Sequence, residues 1–262
     1  MKIAAGVEYD GSRYSGWQIQ KHSSSVQERV EAALSAVADH TVAVTCAGRT
    51  DAGVHALNQV VHFESGAARD THSWVLGANT HLPGDISLTW AKPVQADFHA
   101  RYSATSRVYK YIILNRPARP GLGHGYVTWE CRRLDADRMS EAATSLVGEH
   151  DFTSYRATSC QAKTPVRNVL NLSVKRENDY VIIVVEANAF LHHMVRNIAG
   201  VLMAIGMGKH AVGWEIDVLE AKSRDCGGVT ATPDGLYLAG INYPEKYGIP
   251  GQHADRHGDF YI

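Results

Sequence analysis

The segment Gly48-Arg49-Thr50-Asp51-Ala52-Gly53-Val54-His55 concentrates groups that could carry chemistry. Asp51 is a carboxylate set between Gly48 and Gly53, residues that let a loop turn tightly at the end of a sheet. Arg49 stands two residues before it, and a cation within a few ångströms favours the ionised carboxylate. Held in that form, a carboxylate can act as a nucleophile or as a general base. The same residues also suit an Asx turn with a purely structural role, because Asp and Gly are ordinary turn residues.

Other side chains invite a chemical reading. Arg196 falls within an apolar run that reads as a helix, where an unpaired guanidinium is costly, so it needs a buried anion. Asp51 and Glu186 are the candidates. Tyr109 offers a ring and a hydroxyl, and by residue type alone is equally a half-buried strand aromatic. The chain has 14 histidines, which raises a metal-dependent hydrolase with Asp51, His55, His62, His192 and His193 as ligands. Spacing argues against it: Gly53 interrupts any helix carrying Asp51 and His55, and the adjacent His192 and His193 diverge if both lie on one helix.

Several elements must position these groups. Lys2 to Tyr9 reads as a strand ending at Asp10-Gly11, and Thr41 to Ala47 and Asn58 to Glu64 read as two more. Between the first two lies a helix opened by the capping pair Ser25 and Glu28, with Val26, Val30, Ala33, Leu34 and Val37 at helical spacing. A weaker helical pattern spans about 70–82, closed by Pro83-Gly84, and Ile86 to Trp90 returns as a strand. The second half repeats this order. A β-rich stretch from His99 to Asn115 precedes a helix at about 136–147, and Val169 to Arg176 and Tyr180 to Ala187 form a hairpin across Glu177-Asn178-Asp179. An apolar helix from about Phe190 to Ile205, a shorter one near 214–222 and a strand at Leu236 to Asn242 complete the second β-α-β-β-α-β series. The expectation is an α+β protein of two tandem ferredoxin-like units. They should form an extended antiparallel sheet with helices on one face and an RNA-binding cleft on the other. The expected boundaries are 1–97, 98–243 and a tail at 244–262.

The 262-residue chain could bury one large core or two ordinary ones. Apolar residues at 45% and charged residues at 20% are ordinary for a folded chain and exclude the disordered and coiled-coil extremes. With 26 Lys and Arg against 27 Asp and Glu, the net charge is -1. A polyanionic partner must then be met by a local basic surface. The four cysteines are far apart and form no Cys-x-x-Cys pair, which reads as reduced thiols in the cytoplasm. The first residues meet Glu8 and Asp10 before any long apolar run, unlike a signal peptide. No stretch approaches the roughly 18 apolar residues that span a bilayer.

The 49–55 segment resembles the signature of the tRNA pseudouridine synthase A family. The similarity extends, in the family's order, through Tyr9-Asp10-Gly11 with Gly16-Trp17-Gln18-Ile19-Gln20, Asp97-Phe98-His99-Ala100-Arg101, Arg107 to Tyr111, Asp151-Phe152-Thr153-Ser154 and Asn188 to Ile198. It covers about residues 7–243. The resemblance implies isomerisation of uridine to pseudouridine at positions 38, 39 and 40 of the tRNA anticodon stem-loop, with no cofactor and no metal. It implies Asp51 as the catalytic carboxylate, attacking ribose C1′ or taking a proton from C2′, and Tyr109, Arg196 and Arg49 as further catalytic groups. Tyr109 would stack on an extruded uracil near its C5 proton. Arg49 could fill the vacated base position or grip a phosphate. His55, Gln59 and Leu236 would join Tyr109, Arg49 and Arg196 in binding substrate. Tyr14 to Gln20, Arg101, Arg107, Lys110, Lys163 and Arg167 are candidate RNA contacts. A homodimer gathering phosphate contacts from two surfaces is also implied.

A non-catalytic RNA-binding module is the remaining rival. The aromatic sheet motif of that class is absent, and Arg49-Thr50-Asp51 has no purpose in a pure binder.

Overall fold

The computed structural model describes residues 1–251. The chain folds as an α+β protein with mixed sheets and five α-helices among the described residues. Contacts divide the described residues into two compact units, Met1–Arg107 together with 237–251, and Val108–Leu236. That grouping follows contacts rather than chain order, since the strand Leu236–Asn242 goes almost wholly with the first unit through its pairing there.

The first unit begins with β1 (Lys2–Tyr9), α1 (Val26–Ala38), β2 (Thr45–Cys46), β3 (His55–Glu64), α2 (Thr71–His81) and β4 (Ile86–Pro93). β1 lies between β3 and β4, and β2 adds to β3, all antiparallel. Ser25 caps α1 by accepting the Glu28 N–H at 3.3 Å, as the capping pair predicts. Asp70 caps α2 in the same way through the Ser73 N–H. α1 buries Val26, Val30, Ala33 and Leu34, the apolar stripe that 3.6-residue spacing produces. α2 docks through Trp74, whose ring meets Phe63 of β3 edge to face at 5.1 Å.

The second unit contains β5 (Ser106–Asn115, from Val108 on), β6 (Thr128–Glu130), α3 (Ala136–Thr144), β7 (Gly148–Asp151), β8 (Val166–Glu177), β9 (Tyr180–Ala187), α4 (Met194–Gly206) and α5 (Trp214–Ala221). Its strand order is β5-β9-β8-β7, with β6 beside β5. The β8–β9 hairpin turns at Asn178, whose φ of 53° is the left-handed conformation that Asn tolerates. α3 and α4 approach closely enough that a Cβ on Gly206 would lie 2.7 Å from Met139. No helix of the described residues is long and apolar enough to cross a membrane.

Three expectations need correction. The sheets are mixed rather than antiparallel throughout. β10 (Leu236–Asn242) runs parallel to β3, and β6 runs parallel to β5; both are reached by long connections, which parallel pairing requires. Strand 41–47 shrinks to Thr45–Cys46. The helix expected from Phe190 begins at Met194, because His193 has a φ of 62° and stands as its N-cap.

Candidate active site

Asp51 lies in the loop between β2 and β3, half-buried, with its neighbours tied to the segment 9–17. The Thr50 hydroxyl shares a 2.7 Å hydrogen bond with the Tyr9 hydroxyl. The Thr50 carbonyl accepts the Trp17 N–H at 3.0 Å, and the Gly53 N–H donates to the Tyr14 carbonyl at 3.3 Å. Val54 N–H closes the turn onto the Asp51 carbonyl at 3.2 Å. Gly16 sits against this turn with a φ of 94°, and a Cβ there would come 2.6 Å from the Thr50 carbonyl oxygen. Gly11 approaches more closely still, against the Val54 backbone. The backbone on both sides of Asp51 is therefore held by hydrogen bonds and close packing before any substrate arrives.

β3 contributes two buried polar side chains that brace the loop. Gln59 clamps Gly48, its amide nitrogen donating to the Gly48 carbonyl and its oxygen accepting the Gly48 N–H. His55 accepts the Gly11 N–H through Nδ1 at 3.1 Å, and Asp10 Oδ1 lies 3.1 Å from the same nitrogen. The His55 ring stacks on Tyr237 of β10 at 4.7 Å, where the strands pair in parallel, Tyr237 opposite His55. Between Ala56 and Gln59, β3 carries an extra residue against β1. Such a bulge re-aims side chains and is common beside active sites. His55 and Gln59 are only 1% and 0% exposed, so their visible polar contacts serve the loop.

Arg49 is exposed on the loop, and Arg107 braces the strand leading into it. Its guanidinium donates to the carbonyls of Ala47 at 3.2 Å and Arg101 at 2.6 Å. Burial pushes the Cys46 thiol up to about 11, against the opposing pull of the Arg49 and Arg101 charges, so it stays protonated at neutral pH. Tyr14 is likewise raised to about 12 by burial and by its 2.7 Å bond to the Asp85 carboxylate.

The remaining expected site residues belong to the second unit. Tyr109 on β5 is buried and meets Phe190 edge to face at 4.9 Å. Leu236 is buried at the start of β10. Arg196 stands in the first turn of α4 rather than mid-helix, and its Nε donates to the Ala231 carbonyl at 2.7 Å. Its positive charge also acts on the buried Tyr111 hydroxyl. His192 and His193 precede the helix, with ring centroids 4.1 Å apart. The expectation that they diverge assumed both on one helix and does not hold. Among the histidines of β3, His55 and His62 each spend Nδ1 on a backbone N–H, from Gly11 and Ala100 respectively.

Residue types alone missed Gln59 and Gly16 as supports of the loop. The available signal for Gln59 was a neutral polar residue inside the apolar strand Gln59-Val60-Val61.

The family model described as tRNA pseudouridine synthase matches residues 5–103 and 142–244. A protein of Nitrosococcus oceani named tRNA pseudouridine synthase A is 56% identical over 250 residues, covering 95% of this chain and 96% of that one. Proteins of the same name from Legionella pneumophila strain Corby and Coxiella burnetii strain Dugway 5J108-111 are each 54% identical over 249 residues, covering 95% of both chains.

Proposed function

The chain belongs to the tRNA pseudouridine synthase family, and from that premise we propose that it isomerises uridine to pseudouridine in tRNA, at positions 38, 39 and 40 of the anticodon stem-loop. The bond from uracil N1 to ribose C1′ breaks, the base turns over, C5 joins C1′, and the proton leaving C5 is balanced by one gained at N1. Asp51 is the catalytic carboxylate, either attacking C1′ or taking the C2′ proton, and both routes need it ionised. The observation that carries this reading is the Asp51 loop, half-buried and braced on both flanks, within a segment matched by the family model.

By the same resemblance Tyr109 supplies a ring for the extruded base, Arg196 and Arg49 supply positive charge, and Leu236 lines the pocket. His55 and Gln59 act on the substrate through the loop they hold. No cofactor or metal enters the reaction. The strand order β4-β1-β3-β2 in the first unit supports reading its β-α-β-β-α-β series as one ferredoxin-like unit; the division near residue 97 and a second such unit ending near 243 rest on the order of elements along the sequence. We place the protein in the cytoplasm with its tRNA substrate, as a homodimer. The tail proposed from 244 lies for the most part outside the described residues.

The test is incubation of the protein with an unmodified tRNA transcript, without added metal, followed by carbodiimide mapping of pseudouridine. Product is expected at positions 38 to 40. Asp51→Asn should yield none while still binding the transcript; near-normal turnover by that variant would refute the assignment.

A further inference from the structure

Tyr102 is a large aromatic residue that leaves 77% of its surface exposed. Such exposure usually goes with a mobile side chain, but here the backbone beneath it is pinned. The N–H groups of Arg101 and Tyr102 both donate to His99 Nδ1, at 3.1 and 3.2 Å. The His99 N–H donates to Ser103 Oγ at 3.0 Å, and the Ser103 N–H returns to the His99 carbonyl at 2.9 Å. Ala100, at the centre of this turn, is fully buried, donates its N–H to His62 Nδ1 and accepts the Tyr243 hydroxyl. The Tyr102 ring rests on His99 at 4.4 Å, with the Arg101 guanidinium 5.7 Å from its centroid.

This turn is coupled to the reactive loop. The Arg107 guanidinium holds the carbonyls of Arg101 and Ala47 together, and Ala47 lies four residues before Asp51. Arg49 and Arg101 are both exposed, and the charge of each bears on the Cys46 thiol. A fixed, exposed ring beside exposed arginines has the composition of a site for an unpaired nucleobase and its phosphate. The base offers a π-face of either purine or pyrimidine, and the guanidinium a planar partner for phosphate oxygens.

Building on the proposed function, we propose that Tyr102 is a stacking platform for an unpaired base of the substrate RNA, with Arg101 taking an adjacent phosphate. Tyr102 thus acts as a positioning residue that sets where the RNA sits relative to Asp51. Neither residue takes part in the chemical step.

The experiment measures binding of the full-length protein to an unmodified tRNA transcript and to a fully paired RNA duplex of equal length, by fluorescence anisotropy. Tyr102→Ala should weaken transcript binding about tenfold, the scale of one base–aromatic stack, and leave duplex binding unchanged. Tyr102→Phe should bind like the parent, since it keeps the ring. Steady-state turnover should show the Tyr102→Ala loss in KM rather than kcat. Unchanged transcript binding by Tyr102→Ala, an equal loss on duplex, or failure of Phe to rescue would each overturn the platform. The readout is binding, so a parent that binds the transcript yet leaves its uridines unaltered counts against the isomerase reading and not against this one.

Discussion

Gly16 is the residue on which the precision of the Asp51 loop most visibly depends. Its φ of 94° is costly for any L side chain, and an added Cβ would press on the Thr50 carbonyl at 2.6 Å. Gly16→Ala should therefore displace the carboxylate while leaving the rest of the first unit folded. The expected outcome is a loss in single-turnover rate on the order of a hundredfold, the usual effect of a misplacement near 1 Å, with tRNA affinity little changed. A second residue-scale prediction concerns His62. Burial, aided by the nearby His99 and Lys2, brings its imidazole down to about 4, against about 6.5 in an unfolded chain. Between those values the unfolded chain binds a proton that the folded chain does not. The stabilisation is complete above the unfolded value and is lost as pH falls toward the folded one, on the order of 3 kcal/mol in total. Melting temperature should drop between about pH 7 and about pH 5, and His62→Gln should shrink that drop. Asp51 was legible in the sequence because its neighbours along the chain are its context. Gly16, Gln59 and His62 were named there, but not as supports, because those roles lie in contacts with Thr50, Gly48 and Ala100 that no local pattern encodes.

At the scale of elements, the helices were readable where a cap announces them. Ser25 opens α1 at the residue its side chain suggests, whereas the cap that Asp70 provides for α2 was not read from the weaker pattern over 70–82. Ser25→Ala should remove the cap from the Glu28 N–H and cost about 1 kcal/mol. In a chain of this size that is a fall of roughly 2–4 °C in melting temperature, measurable by calorimetry. The strand expected over 41–47 shows where patterning misleads. Val42 and Val44 are buried as its alternation requires, yet their N–H groups donate to Ser35 Oγ and Glu31 Oε1 of α1 rather than to a neighbouring strand. Burial period and ladder pairing separate when side chains supply the acceptors. The late start of α4 has a comparable cause. Leu191 is buried and belongs to the apolar run, but the left-handed turn at His193 prevents the helix from including it.

At the scale of the whole molecule, a net charge of -1 means that affinity for RNA must come from particular surfaces and not from the overall field. The Arg101 guanidinium is one such contact in the proposal above. Arg101→Ala should flatten the dependence of log K on log salt by about one phosphate, a slope change near 0.7 to 0.9. An unchanged slope would remove Arg101 from the phosphate contacts. Homodimer formation is tested by light scattering at working concentration, where the expected mass is twice that of the 28.7 kDa chain; a strict monomer would defeat it.

The parallel register of Tyr237 against His55 carries a consequence for synthesis. A ribosome releases chain from its N-terminus, so the Asp51 segment emerges long before the strand that covers His55 has been translated. Until then the His55–Ala56 end of β3 lacks its neighbour, an open edge prone to pair with other chains. A nascent fragment ending before Leu236 should be found with aggregates after centrifugation, whereas the full chain stays in the supernatant. The stack of Tyr237 on His55, the last support added beside the carboxylate loop, is therefore in place only when translation is nearly finished.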